Sequence, residues 1–361
     1  MKNLIIGNQL EKARALLGLT IEAAARELSL GPDELASWEK GQVQPKLNQL
    51  TRLAEFYGRA LDYFLKPTPE PPSQIKFRGK KGYSFQSLSH ESKMVFARFD
   101  ELCRISLELE EMTGKPLKVL IPKMMTGHDP KSAAAQMRSV LSVSQKPLLN
   151  LRNLLEHKGI RIFELPVPGE DFSGFSLWHS QYGPCILVNA GDPKSRRNFT
   201  LAHELAHLIF NHGSSVCYIP IAAPKETRGE EYLANKFAEN FLMPESPLRK
   251  DFAERGLSRN PTEPSLRMLA TKWGVSIQAL GYRLEHLGMV DEGITNRLVE
   301  EKPKHIRGPK GPRWQRQLGK HFVDISFQAY QNGLITSGKL AQSLGLPLRK
   351  VIEAIEKPPL Q

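Results

Sequence analysis

The stretch Asn198 to Asn211, NFTLAHELAHLIFN, constrains this chain more than any other. It contains His203, Glu204 and His207 in an H-E-x-x-H arrangement. In a helix, residues four apart stack on one face. Both imidazoles then point at one place, as two protein ligands of a catalytic zinc at about 2.0–2.1 Å. Glu204 stands beside the first ligand, where a carboxylate can take a proton from water at the metal. Leu201, Ala202, Leu205, Ala206, Leu208, Ile209 and Phe210 make the helix apolar almost all round, which predicts a buried one. Ser195 is placed to cap its start, and Asn211 to Gly213 supply stop signals. Accidental matches to the pattern fall mostly on polar surface helices. Here the polar residues interrupt an apolar one, where groups without partners are expensive.

A catalytic zinc site needs a third protein ligand and an open position. Downstream, Gly229 to Pro244, GEEYLANKFAENFLMP, reads as a second helix with Phe237, Phe241 and Leu242 as its core face and Pro244 just past its end. Glu231 or Glu230 can supply the third ligand, and Asn235 lies on the same face as Glu231, placed to orient a ligand. His212 follows His207 by five residues rather than six, so a longer three-histidine pattern is absent and it reads as a helix-end or surface histidine.

The FTLAHELAHLIFNH stretch followed by EYLANKFAENFLMP resembles the ImmA/IrrE family of zinc metallopeptidases. The resemblance implies that His203, His207 and Glu231 bind the metal and that Glu204 is the general base. It also implies a protein substrate, typically a DNA-bound repressor cleaved under stress or phage induction. Zinc is the expected cofactor, and the ligand types also admit manganese or iron.

With 361 residues the chain has room for two or three domains. A formal charge of +12 suits a polyanionic partner. Cys103, Cys185 and Cys217 are odd in number and widely spaced, so no disulfide framework is indicated. The opening MKNLIIGNQLEK is too short an apolar run for a signal peptide, and no segment approaches the ~20 apolar residues of a membrane span. A cytoplasmic protein with no membrane partner is expected.

Residues 1–66 read as a compact helical unit. Leu10, Ala13, Leu16 and Leu17 form one stripe, Thr20 opens a second helix, and further helices are expected near Pro32 to Lys40, Leu47 to Tyr57 and Leu61 to Leu65. The segments LGLT, AAAREL, ELASWEKGQVQP and LAEFYGRALDYFL resemble the XRE (Cro/C1-type) helix-turn-helix domain. That resemblance implies operator DNA as a partner, a third helix in the major groove and a homodimer through this domain. Arg14, Ser37, Lys40, Gln42, Gln44 and Lys46 are the candidate DNA contacts. Asp33 and Glu34 open the third helix, and charges nearly cancel over this unit, unlike a strongly electropositive module.

The remaining chain divides into a Pro-rich and basic linker at 67–87 (PTPEPP, then Lys76, Arg78, Lys80 and Lys81), a zinc peptidase domain at 88–250 with a helical lead-in at 88–157, a helical region at 251–300, and a basic linker with C-terminal helices at 301–361. IRIFELPV, Phe172 to Leu177 and Cys185 to Asn189 read as strands, with Ile186 to Asn189 proposed as a substrate-docking edge. Leu269-Ala270, Gly274-Val275-Ser276 and Leu280 recur as Leu340-Ala341, Gly345-Leu346-Pro347 and Val351 at identical spacing. Ala24-Ala25 to Leu35 keeps that spacing with Ser29 at the glycine position, and each unit reads as helix, tight turn, helix. The expected fold is α+β and mostly α: an all-α helix-turn-helix domain, a zincin-like domain with a small sheet, and a helix-turn-helix-like C-terminal region. The expected function is a DNA-binding transcriptional regulator carrying a zinc endopeptidase. The alternative is a non-proteolytic repressor or antitoxin that uses the zinc domain as a sensor or as a scaffold for a cognate toxin.

Overall fold

The computed structural model describes residues 2–65, 76–78, 88–122, 129–169, 172–212, 215–217, 229–299 and 313–356. The PTPEPP linker, Lys80, Lys81 and residues 302–312 of the second basic stretch lie outside the described residues. The N-terminal unit consists of α1 (Lys2–Leu16), α2 (Ile21–Leu28), α3 (Pro32–Glu39), α4 (Leu47–Phe56) and a 3-10 turn at Leu61–Leu65. The Thr20 hydroxyl accepts from the Ala23 amide at 3.1 Å and caps α2, satisfying one of the donors that a helix start leaves open. Leu10, Leu17, Leu35, Tyr57 and Phe64 are fully buried at its centre.

The next helix, α5 (His90–Thr113), serves two cores at once. Ala97 completes the N-terminal core, while Phe96, Phe99 and Leu102 pack against the sheet. Arg59 fastens the junction: its guanidinium donates to Asp100 Oδ2 at 2.7 Å and to the Ala97 carbonyl at 3.2 Å, and lies over the Tyr63 ring.

The sheet contains β1 (Lys76–Arg78), β2 (Arg161–Leu165), β3 (Gly174–His179), β4 (Gly183–Asn189) and β5 (Ser215–Cys217), in the order β1-β5-β3-β4-β2. β4 runs parallel to β2 and antiparallel to β3, and β3 is also antiparallel to β5. Side chains alternate between the two faces. Ile162, Ile186 and Val188 join one core, and Phe163, Phe175, Leu177, Cys185 and Leu187 join the other. The expectation that Ile186 to Asn189 forms a docking edge is therefore corrected. β4 has neighbours on both sides, and its unbroken apolar run is what a strand covered on both faces requires.

One face of the sheet carries α6 (Pro130–Val140), α7 (Leu151–Glu156), α8 (Lys194–Ile209), α9 (Glu230–Leu242), α10 (Glu245–Glu254), α11 (Glu263–Trp273), α12 (Ile277–His286) and α13 (Ile294–Val299), whose apolar residues share a single core. The other face carries α5 with α14 (Arg313–Leu318), α15 (Lys320–Gln331), α16 (Ser337–Leu344) and α17 (Leu348–Glu356). The pairs α2–α3, α11–α12 and α16–α17 each turn on a left-handed residue: Ser29 (φ 53°), Gly274 (φ 67°) and Gly345 (φ 64°). At the first of these turns a serine holds a conformation that glycine usually supplies.

Candidate metal centre

α8 starts at Lys194 with Pro193 as its cap residue, so Ser195 lies in the first turn rather than capping it. From Thr200 to Phe210 the helix is buried, His203, Glu204 and His207 included. α9 packs across it, with Phe237 against Phe210, and delivers Glu231 to the two imidazoles. His203 Nε2 lies 3.2 Å from one Glu231 oxygen, His207 Nε2 lies 3.2 Å from the other, and the two Nε2 atoms are 3.0 Å apart. Glu230 is exposed at the helix start and is not part of this group. Among the described residues His203, His207 and Glu231 form a cluster of the kind that can hold a metal ion.

The donor chemistry fits a divalent cation. His203 Nδ1 is 2.9 Å from Asn235 Oδ1, which can only accept, so Nδ1 carries the proton and the neutral ring presents its Nε2 lone pair to the centre. His207 Nδ1 is 2.9 Å from His212 Nδ1, and a proton donated from His207 leaves its Nε2 in the same state. Two lone pairs and a carboxylate facing one another repel without a cation between them. Their separations are close to the edges of about 3.3 Å in a tetrahedron with bonds of about 2.0–2.1 Å. With no cation at the centre, the charge balance instead favours a proton between these groups. Burial drives the His203 pKa down, but the Glu231 charge outweighs it and the net direction is up. Burial likewise opposes ionisation of Glu231, and the two imidazoles override it to hold the carboxyl far below the usual carboxylate range.

Glu204 sits to one side in a socket made by β3. Ser176 Oγ donates to Glu204 Oε2 at 2.6 Å. Gly174, on the same face of β3, has no side chain: a Cβ there would come within 2.7 Å of Glu204 Oε1 and 2.5 Å of Thr200 Cγ2. The strand can approach the helix closely only because that position is glycine.

Three residues of this site escaped sequence reasoning. His212 is 4 % exposed, stacks on Phe210 and orients His207, so it is not a surface histidine. Asn211 is left-handed (φ 54°), which turns the chain back toward α8 and brings the ring inward. Ser176 and Gly174 gave no local signal, because only strand-on-helix packing brings them to Glu204. A cavity of about 440 Å³ lies between the starts of α7 and α8 and the α14–α15 corner, and none of the metal-centre residues lines it.

The candidate DNA contacts divide. Arg14 is engaged internally, bidentate to Glu39 at 2.7 Å for both bonds and to the Leu19 carbonyl at 2.9 Å. Ser37 Oγ donates to the Glu34 carbonyl at 2.7 Å. Lys40, Gln42, Gln44 and Lys46 are exposed around the end of α3 and the start of α4.

Residues 155–285 match the family described as IrrE N-terminal-like domain, a peptidase family. Residues 10–64 match the helix-turn-helix family. None of the curated proteins compared matches the chain. The first match spans β2 to β5, α8, α9 and the helices through α12, and the second spans most of the N-terminal core.

Proposed function

We propose that this chain, in which a helix-turn-helix domain is fused to an IrrE N-terminal-like peptidase domain, is a DNA-binding regulator that cleaves a protein partner such as a repressor. The observation that carries the reading is the convergence of His203, His207 and Glu231 on one point beside the buried carboxylate of Glu204.

Zinc is the metal that this donor set suits best, held by His203 Nε2, His207 Nε2 and the Glu231 carboxylate. A bound zinc ion supplies Lewis acidity, polarising a peptide carbonyl and making water a stronger acid. The side chains do the rest. Asn235 and His212 hold the two rings in register and set their tautomers. Glu204 takes a proton from the attacking water as its oxygen bonds to the scissile carbonyl carbon. Glu204 then returns the proton to the amide nitrogen as the C–N bond breaks. Ser176 keeps one carboxylate oxygen anchored, so the proton is handled from a defined direction.

In this reading the helix-turn-helix unit is residues 1–66 and the peptidase unit begins at 88, with the segment 67–87 between them also lending the sheet its strand β1 at Lys76–Arg78. The division at 250 marks a change of role within one packed body, since Leu266, Trp273 and Leu280 share the core of α8. The exposed Lys40, Gln42, Gln44 and Lys46 are its operator contacts, with the helix-turn-helix unit as the surface through which two copies pair. The comparison that tests the reading is wild type against Glu204→Gln, co-expressed with the products of neighbouring genes and followed by intact-mass spectrometry. A cut in a partner that vanishes in the variant is the expected result. No cut, with metal bound and a stable complex with a neighbour or with DNA, overturns it in favour of a non-proteolytic repressor or antitoxin.

A further inference from the structure

The cavity of about 440 Å³ away from the metal centre holds more positive charge than its carboxylates balance. Arg152, Lys194, Arg197, Arg316 and Lys320 line it, against Glu164 and Asp324. Glu156 stands behind Arg152 at 2.9 Å, so five cations meet three carboxylates and two positive charges are left over. Arg152 is a post rather than a free donor, since it bonds Glu156, the Gln317 carbonyl at 3.1 Å and the Arg316 carbonyl. The others are less committed. Arg197 Nε lies 3.0 Å from Glu164 and its Nη1 donates to the Asp192 carbonyl at 2.8 Å, while Nη2 has no partner among the described residues. Lys194 is exposed and unpaired among the described residues. Lys320 meets Asp324 at 3.4 Å with both side chains mostly exposed, a pairing that water screens.

Two helix starts open on the same space. α8 begins at Lys194 and α15 at Lys320, and neither has a side-chain cap or an acidic residue in its first turn. The amides at such a start have no partner within the helix and form the positive end of its dipole. α15 reaches the cavity because Gly319 (φ 86°) has no side chain. A Cβ there would run into the Glu156 carboxylate and the Arg152 guanidinium. Asn198, also on the wall, is 6 % exposed. Its Nδ2 donates to the Gly274 carbonyl at 2.9 Å, and its Oδ1 accepts no hydrogen bond among the described residues.

A phosphate monoester carries about −1.5 to −2 charges at pH 7, which matches the excess, whereas a carboxylate supplies one. Cations and unspent helix-start amides are the donors that phosphate oxygens take. The open Asn198 Oδ1 suits a hydroxyl or amino donor on the same ligand, and Leu149, Leu201 and Val323 give it an apolar wall. The volume lies low in the range of about 300–1,000 Å³ that small-molecule sites occupy. We propose that this cavity binds a phosphorylated small molecule of mononucleotide size. Its phosphate sits among Lys194, Arg197 and Lys320, and a hydroxyl or amino group meets Asn198. The site shares α8 with the metal ligands, Asn198 standing about 7.5 Å along the axis from His203.

The test is calorimetric titration of the full-length, zinc-loaded protein with AMP, GMP and ribose phosphate. At least one should bind saturably with a Kd below about 100 µM. The double variant Lys194→Ala, Lys320→Ala, which alters two exposed side chains, should raise that Kd at least about ten-fold. Lys250→Ala, which removes the same charge from the exposed face of α10, should leave it unchanged. Amide hydrogen exchange with the bound probe should show added protection at 194–198 and 320–324. No saturable binding by any of the three overturns the proposal. So does binding that survives the double variant, which places the probe at the metal centre or elsewhere. A short oligothymidylate that binds through the two lysines where the small molecules do not would assign the surface to a nucleic-acid backbone, and the proposal falls. None of these readings depends on whether Glu204 cuts a peptide.

Discussion

Ser176 Oγ donates a 2.6 Å hydrogen bond to Glu204 Oε2, and both side chains are sealed from solvent. A strand residue and a helix residue 28 positions apart thus form one device. Bonds to a charged acceptor are worth about 1.5–3 kcal/mol. Ser176→Ala should lower kcat on the cleaved partner by about ten- to a hundred-fold, leave KM nearly unchanged and leave zinc bound. Ser176→Thr should restore part of the rate, and steady-state kinetics on the three proteins decides this.

Gly174→Ala tests the same socket sterically. The new methyl meets Thr200 Cγ2 and Glu204 Oε1 well inside contact distance. Overpacking of this sort costs about 1–3 kcal/mol. Urea unfolding should show that loss of stability, and a variant as stable as wild type would show that β3 does not lie so close to α8.

Metal affinity should depend on the residues behind the ligands. Asn235→Leu and His212→Phe each remove the partner of a ligand ring while retaining bulk. Either change is expected to weaken zinc binding about 10- to 100-fold, the usual scale for outer partners. Glu231→Gln should do at least as much, while Glu230→Gln should not. Competition titration with a chromophoric chelator reads all four.

The N-terminal unit should come loose when Arg59 is truncated. Its guanidinium is 1 % exposed and bonded to Asp100, with Glu101 at 3.7 Å. Removing one side of such a buried pair costs about 3–5 kcal/mol, because the carboxylates remain. Arg59→Ala should speed limited proteolysis between residues 66 and 88 at least ten-fold, and unchanged cleavage would argue that the apolar contact at Ala97 suffices.

Acid should unfold the protein partly through Glu110. Burial favours its neutral form, but His321, Arg161, the Leu117 amide and Ser106 outweigh this and hold its pKa below the ordinary 4.5. A carboxyl whose folded pKa is depressed adds stability above the unfolded value, and that stability is lost as pH falls through the folded one. Stability should therefore drop below about pH 4.5. In Glu110→Gln the fall over that window should be shallower, from a lower starting stability at pH 7, as thermal melts from pH 3 to 7 would show.

DNA binding by the first unit should separate surface from scaffold. Lys40→Ala and Lys46→Ala should each reduce the slope of log affinity against log salt by about 1, as loss of one phosphate contact does. Arg14→Ala should instead lower the stability of the unit, since Glu39 is 6 % exposed and loses its bidentate partner. Salt titrations and thermal melts on the three variants distinguish the two effects.

What the sequence determined by itself is local and periodic. The four-residue spacing of His203 and His207, the four-residue step from Glu231 to Asn235, the three equally spaced helix pairs and the acidic opening of α3 are consequences of helix geometry or of residue order, and nothing distant can alter them. Strands β2, β3 and β4 were legible, but β1, β5 and the order of the sheet were not. Which strand faces Glu204, and whether β4 offers an edge, depends on pairings between β2, β3, β4 and β5 that no periodicity records. Tertiary packing alone decided that His212 turns inward onto His207, that Ser176 and Gly174 form the seat of Glu204, that Arg14 is spent on Glu39 rather than on phosphate, and that α5 binds the N-terminal unit to the sheet. Those contacts form because buried polar groups must find partners wherever the chain happens to bring one. Their identity is set by the fold as a whole, not by the residues beside them.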